Sequence, residues 1–282
     1  VTTDNKSMAD TLQKQFQSVF SDPQAPHKKE PSFTSPDISA PMMDTDLDII
    51  NEDIIDAIKA IPNDSSCGPD GIPVLLLKNC ASQLCAPFKL IWSESFKSGT
   101  VPKFYKNTQI FPLFKKGDRA RAVNYRPFAL TSHVIKIYER VLRAKIVKFV
   151  EDNDILCNNQ HGFRRGRSCL TQLLSHFEDI MFGLTQGADT DAIYLDFAKA
   201  FDKVDHQLLI QKLRLYGFHE QLIKWLESFL SNRSQHVVVN GFSSFLAVVI
   251  SGVPQGTVLG PLLFIMFIND MSLCVNHSII RF

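Results

Sequence analysis

Nowhere in this chain do two cysteines stand at CxxC spacing, and no Cys/His cluster carries zinc spacing. That excludes a zinc finger or ribbon. The six cysteines (Cys67, Cys80, Cys85, Cys157, Cys169, Cys274) read instead as reduced thiols of an intracellular protein. Long hydrophobic runs are missing too. The longest, Leu262 to Ile268, falls far short of the roughly 20 apolar residues that cross a bilayer. The first residues, VTTDNKSMADT, are polar and lack an initiating methionine, which excludes a signal peptide and suggests a piece of a longer chain. No internal repeat is present. Even net charge is scarce, because 30 Lys and Arg stand against 29 Asp and Glu.

What is there is the composition of an ordinary globular protein, 45% hydrophobic and 21% charged over 282 residues. A unit of this length can bury roughly three quarters of its unfolded surface, as one large domain or two interleaved subdomains. The near-zero net charge hides an asymmetry. From Asp37 to Asp56 there are seven acidic residues and no Lys or Arg. From Lys103 to Lys148 twelve Lys and Arg stand against only Asp118 and Glu139. Such a local excess attracts polyanions. Solvated helix faces explain much of it in RVLRAKIVKFV, but less in FKKGDRARAVNYR, where Gly117 and Asp118 mark a loop.

Along the chain, a short amphipathic stretch around Leu12, Phe16 and Phe20 precedes SDPQAPHKKEPSFTSPDISAP, whose Pro and Ser content reads as a linker. Helical spacing follows Asn51, with Ile54, Ile55, Ile58 and Ile61 on one side, and recurs over Val74 to Asn79 and Leu84 to Phe96. QIFPLF reads as a strand that feeds the basic loop. Val134 to Val150 and Cys169 to Phe182 read as helices. QHVVVNGFSSFLAVVI is a hairpin turning at Asn240-Gly241, SGVPQG a loop, and TVLGPLLFIMFINDM a strongly apolar helix.

Three aspartates crowd the stretch AIYLDFAKAFDKVDH. Ala192 to Leu195 reads as a buried strand with Asp196 near its end, where an unpaired carboxylate is expensive. A strand-end carboxylate beside a backbone carbonyl, here that of Phe197, suits hard Mg²⁺. On its own the stretch is weak, since such an Asp more often bonds a neighbouring loop. Asp205 precedes the apolar-periodic Leu208, Leu209 and Leu213 and reads as a helix N-cap. Asp202 is assigned a local structural role.

Seven blocks, in order, resemble the reverse transcriptase of non-LTR (LINE-type) retrotransposons, of the jockey-like branch. They are CGPDGIPVLLLKN, IFPLFKKGD, NYRPFALTSHVIKIYERVL, QHGFRRGRSCLTQL, YLDFAKAFDKVDH, FLSNRSQHVVVNG and SGVPQGTVLGPLLFIMFINDM, so the resemblance runs from about Ile49 to the last residue. It implies an α/β (α+β) chain with a right-hand polymerase fold: an N-terminal extension or linker over residues 1–46, helical fingers over 47–190, and an incomplete antiparallel palm sheet over 191–282, with the thumb absent.

The resemblance also implies roles. Asp196 matches the first catalytic aspartate and, with the Phe197 carbonyl, a ligand of two Mg²⁺ ions. Phe201 matches the aromatic beneath the sugar that excludes a 2′-hydroxyl; from composition alone it is a core phenylalanine. Lys115, Lys116 and Arg126 match fingers positions that meet the incoming deoxynucleoside triphosphate or template. Gln255, with Gly256, faces the nucleotide. Arg164, Arg165 and Arg167 suit the template backbone or are a solvated loop. The implied partners are an RNA template, a DNA primer, deoxynucleoside triphosphates and an upstream endonuclease domain, with no membrane.

Two-metal nucleotidyl transfer needs more carboxylate than Asp196. The family supplies it from an aromatic-Ala-Asp-Asp hairpin following the last block, and no Asp-Asp dipeptide occurs here. The expectation is a fragment that does not polymerise alone, with Ile279 and Phe282 exposed at an unpaired palm edge. The alternative is a catalytically dead nucleic-acid-binding remnant or co-opted protein. A metal-dependent hydrolase would need Asp202 or Asp270 beside Asp196.

Overall fold

A computed structural model of the chain describes residues 4–21, 42–44, 49–274 and 280–281. The Pro/Ser-rich linker reading of residues 22–41, and the expectations for Ile279 and Phe282, lie outside the described residues.

The main core is helical. α2 (Asn51–Lys59), α3 (Val74–Asn79), α4 (Ala81–Ser98) and α5 (His133–Asp152) form its first part. α7 (His206–Leu215), α8 (Glu220–Leu230) and α9 (Gly260–Phe267) complete it, all contributing to one continuous set of buried side chains. The repeat of Ile54, Ile58 and Ile61 buries one face of α2 and the residues just beyond it, as its spacing predicts. An aromatic stack ties three helices at the centre. Trp92 of α4 lies 5.1 Å from Tyr138 of α5, which meets Trp225 of α8 edge-on at 5.2 Å. Buried polar tips are satisfied: Tyr138 donates to the Trp92 carbonyl, and Trp225 Nε1 to Ser95 Oγ at 3.0 Å.

A five-stranded sheet flanks this core. β1 (Asn107–Phe114) pairs antiparallel with β2 (Tyr125–Leu130), Ile110 opposite Ala129. β1 also pairs parallel with β3 (Arg233–Val239), which in turn pairs antiparallel with β4 (Phe242–Ser243) and β5 (Ala247–Val249). The sheet is therefore mixed: its parallel pair joins β1 to β3, while the described strands of residues 191–282 pair antiparallel with one another. Residues 47–190 supply β1 and β2, residues 191–282 supply the rest, and a parallel pair needs the long helical connection between them. The amphipathic stretch near the start is α1 (Asn5–Gln17). It lays Leu12 and Phe16 on Ile110, Ala129 and Val237, packing this amphipathic stretch against the sheet.

Local signals hold where one residue type suffices. Asp205 Oδ1 accepts the Leu208 N–H at 2.8 Å and caps α7. Asn240 and Gly241 take φ of 48° and 81° between β3 and β4, the left-handed pair of a tight hairpin turn.

One prominent expectation fails. Ala192 to Leu195 form no strand. Residues 188–197 carry no regular structure, and Ile193, Tyr194 and Leu195 are 80% exposed or more. A strand exists only when a neighbour takes its backbone N–H and C=O groups, and no strand among the described residues lies alongside. The preceding helix, α6 (Cys169–Thr185), shares this condition and buries no residue. Its contact with the segment includes His176 Nε2 at 2.9 Å from the Tyr194 hydroxyl.

Candidate active site

The loop from Ser251 to Leu259 joins β5 to α9 and gathers several of the expected site residues. Its first half is stitched to the turn at Phe201–Lys203. Gly252 N–H donates to the Val204 carbonyl at 2.8 Å and Val253 N–H to the Phe201 carbonyl at 2.9 Å. Ser251 Oγ donates to the Asp202 carbonyl at 2.8 Å. Gly252 has φ of +88°, and a Cβ there would sit 2.8 Å from the Asp202 backbone. Only glycine permits that approach.

The second half is held by other elements. Ala129 N–H, at the end of β2, donates to the Gln255 carbonyl at 2.8 Å. Gly256 has φ of +109°, and a Cβ there would lie 2.5 Å from the Ala129 carbonyl oxygen. Beyond it, Thr257 Oγ1 donates to the Pro254 carbonyl and accepts the Gly260 N–H. Gln255 Nε2 reaches Asp202 Oδ1 at 3.4 Å. Asp202 is buried and its Oδ2 has no hydrogen-bond partner among the described residues. Burial pushes its carboxyl above the ordinary range, against the pull of Lys199 and Gln255. Asp202, Gln255, Arg233 and Thr108 line a cavity of about 40 Å³, room for a few waters.

Phe201 stacks on Phe264 of α9 with ring centroids 4.4 Å apart, and Phe163 meets it edge-on at 5.9 Å. It is half-buried, so a packing role and an open face coexist. Lys115, Lys116 and Arg126 are exposed at the β1–β2 connection, a loop as its Gly117 predicts. Asn124 holds that loop, giving its carbonyl to Lys115 N–H and its amide to the Asp118 carbonyl.

The arginine trio divides. Arg164 gives Nε and Nη2 to the two oxygens of Glu151 at 3.0 and 2.7 Å, and Nη1 to the Cys157 carbonyl. Its fork is occupied within the fold. Arg165 is exposed, and Arg167 Nη1 lies 3.5 Å from His161 Nε2.

Asp196 and Phe197 are exposed in the extended segment and not at a strand end. Among the described residues no three His, Cys, Asp or Glu side chains gather to hold a metal ion. One exposed carboxylate and a carbonyl do not make the donor set Mg²⁺ requires, so the residues present do not fit a two-metal centre. Asp270, the other candidate carboxylate, is paired with Lys212 at 2.6 Å. Cys67, Cys80, Cys85, Cys157 and Cys169 are free thiols, and no described helix is long and apolar enough to cross a membrane.

Glu139 and Arg233, both buried, escaped the sequence reading. Glu139 of α5 is fully buried, and Oε2 accepts the N–H groups of Val258 and Leu259 at 2.7 and 2.9 Å. Burial pushes its carboxyl up to about 7, opposed by those two N–H groups, Lys136 and Arg233. Arg233 opens β3, donates to Thr108 Oγ1 at 3.1 Å and lies 5.9 Å from the centre of the Phe229 ring. Burial lowers it to about 10, with Glu139 pulling the other way. The signal for Glu139 was its place in line with Ile135, Leu142 and Ile146, a carboxylate at apolar helical spacing.

A family model described as reverse transcriptase (RNA-dependent DNA polymerase) matches residues 114–282. Relatives are similar over most of the chain. The probable RNA-directed DNA polymerase from transposon BS of Drosophila melanogaster is 31% identical, over 80% of this chain and 25% of its own length. The RNA-directed DNA polymerase from mobile element jockey of the same organism is 29% identical, over 78% and 24%. A 149 kDa protein of transposon TX1 from Xenopus laevis is 25% identical, over 96% and 21%. The chain thus spans about a quarter of the length of the curated relatives it matches.

Proposed function

Because the chain belongs to the reverse transcriptase (RNA-dependent DNA polymerase) family, we propose that it copies an RNA template into DNA as part of a jockey-like, non-LTR retrotransposon protein. The observation that carries the reading is the clamp on the Ser251–Leu259 loop. It brings the Phe201–Asp202 turn against the loop through backbone bonds that Gly252 permits, while Gly256 lets the loop lie on Ala129. In this reading Gln255 offers its amide to nucleotide and template, and Phe201 lies under the sugar. Lys115, Lys116 and Arg126 supply exposed cations for triphosphate or template phosphates. Arg165 and Arg167 remain for the template backbone, while Arg164 holds the local fold through Glu151.

Asp196 and the Phe197 carbonyl are the attachment this chain offers to Mg²⁺, the metal the reading calls for. The described residues do not complete that site, and the remaining carboxylates are assigned to the Ala-Asp-Asp hairpin of the family pattern. The proposed partners are an RNA template with a DNA primer, deoxynucleoside triphosphates and an upstream endonuclease domain. A second reading, nucleic-acid binding without catalysis, is favoured by the isolation of Asp196.

Primer extension separates the two. A polypeptide continued through the Ala-Asp-Asp hairpin and thumb is given an RNA template, DNA primer, Mg²⁺ and four deoxynucleotides. Templated synthesis abolished by Asp196→Asn supports the polymerase. Template–primer binding with no synthesis supports the second reading. Synthesis indifferent to Asp196→Asn removes that residue from the chemistry.

A further inference from the structure

Glu139 has no part in the chemistry described above, yet the fold encloses it completely. Enclosing a carboxylate is unfavourable, and an apolar side chain of similar size commonly serves stability better. Its bonds show what the carboxylate does instead. At 2.7 and 2.9 Å they have the length of charge-assisted hydrogen bonds, and both end on the backbone of the loop. They precede the first turn of α9, whose Gly260 N–H is already met locally by Thr257 Oγ1. A cap for α9 was therefore available without Glu139.

The place of these bonds relative to Gln255 is the telling feature. The Gln255 carbonyl is held by Ala129 N–H, and three residues later Val258 is held by Glu139. Between them Gly256 lies against the Ala129 carbonyl, and Thr257 ties back to Pro254. Ala129 lies in β2 and Glu139 in α5, consecutive elements joined by two residues. These consecutive elements thus grip the loop at the Gln255 carbonyl and again three and four residues later. Burial raises the Glu139 carboxyl, and the Val258 and Leu259 amides, with Lys136 on α5 and Arg233 on β3, pull it back only in part.

We propose that Glu139 is a positioning residue: by holding the Val258 and Leu259 amides it sets the backbone under Gln255, and with it the direction in which the Gln255 amide meets a bound nucleotide or template. This rests on the reading of Gln255 as ligand-facing.

The test is a double-mutant cycle on the 282-residue chain, read by anisotropy of a fluorescein-labelled DNA primer annealed to an RNA template at fixed salt. Hydrogen exchange at Val258 and Leu259 is measured alongside. Glu139→Met fills the space without an acceptor and weakens binding about tenfold, with faster exchange at both amides. Glu139→Gln keeps an acceptor oxygen and restores most of the affinity. In a Gln255→Ala background, Glu139→Met brings no further loss, because the side chain it positions is gone. Unchanged affinity in Glu139→Met, or losses that simply add, overturns the proposal. A wild-type chain that binds no template–primer sinks the polymerase reading and the ligand half of the proposal together. The exchange rates then still decide whether Glu139 holds the loop.

Discussion

Residues 251–259 and residues 188–197 are both irregular segments leading from one element to the next, and they have opposite fates. The first is bonded from several directions, among them the Phe201–Val204 turn, the end of β2 and Glu139 of α5, and is tied internally by Thr257. The second is the more apolar at its centre, with Ile193, Tyr194, Leu195 and Phe197, yet it is exposed throughout. Apolar character states a demand for a partner and nothing about whether one is at hand. The first segment is fixed because glycines at two points let backbone meet backbone, and backbone groups are obligate hydrogen-bonders. The second has side chains suited to a sheet and no strand among the described residues to join.

The widest contrast comes from emptying each region. Trp225→Ala, at the fully buried aromatic centre, is expected to lose about 3–5 kcal/mol in urea denaturation. A loss under about 1 kcal/mol would mean the three-helix stack does not organise the core. Gly256→Ala comes next. A methyl group directed at the Ala129 carbonyl from a positive φ is expected to lose about 2–4 kcal/mol, with Gly71→Ala, in open space at φ +67°, losing about 1. Equal losses at the two glycines would show that the close approach to β2 is not what fixes the loop.

A third comparison uses pH. The Glu139 carboxyl is raised from 4.5 to about 7 in the folded chain. Between those values the folded state keeps a proton that the unfolded state has released. Stability therefore falls as pH rises through this window and levels off above about 7. The shift corresponds to about 3 kcal/mol between pH 4 and 8. Glu139→Gln removes that component, while the raised carboxyl of Asp202 still contributes in the same direction. Parallel stability–pH curves for wild type and Glu139→Gln would contradict the buried carboxylate. The smallest effect belongs to the open segment. Leu195→Ala is expected to change stability by less than about 0.5 kcal/mol, although Leu263→Ala, equally a leucine, loses about 2–5. A large loss at Leu195 would place that segment in a packed core.

The same contrast explains what the sequence disclosed. Features decided by a residue and its near neighbours were legible: the Asp205 cap, the Asn240-Gly241 turn, the buried stripe of α2 and the loop at Gly117. The family pattern also names Phe201, Gln255 and Gly256, whose segments are joined by backbone bonds. Features that depend on a distant partner were not legible. Nothing in Asn107 to Phe114 announces a parallel partner beginning at Arg233, and nothing in AIYL says whether a neighbouring strand exists. Glu139 looked like one more charge in a basic helix, because its partners are backbone N–H groups 119 and 120 positions away. Arg164 looked free for phosphate until Glu151 was seen to occupy it.

The measurement that bears most directly on the account is the salt dependence of template–primer binding, for the wild type and for Lys115→Ala/Lys116→Ala/Arg126→Ala together. The account predicts that the logarithm of the affinity falls linearly with the logarithm of salt concentration. The triple variant should bind more weakly across sequences alike, with a slope shallower by about two to three. Binding that ignores salt, or a triple variant with the wild-type slope, would contradict a nucleic-acid site built on this loop.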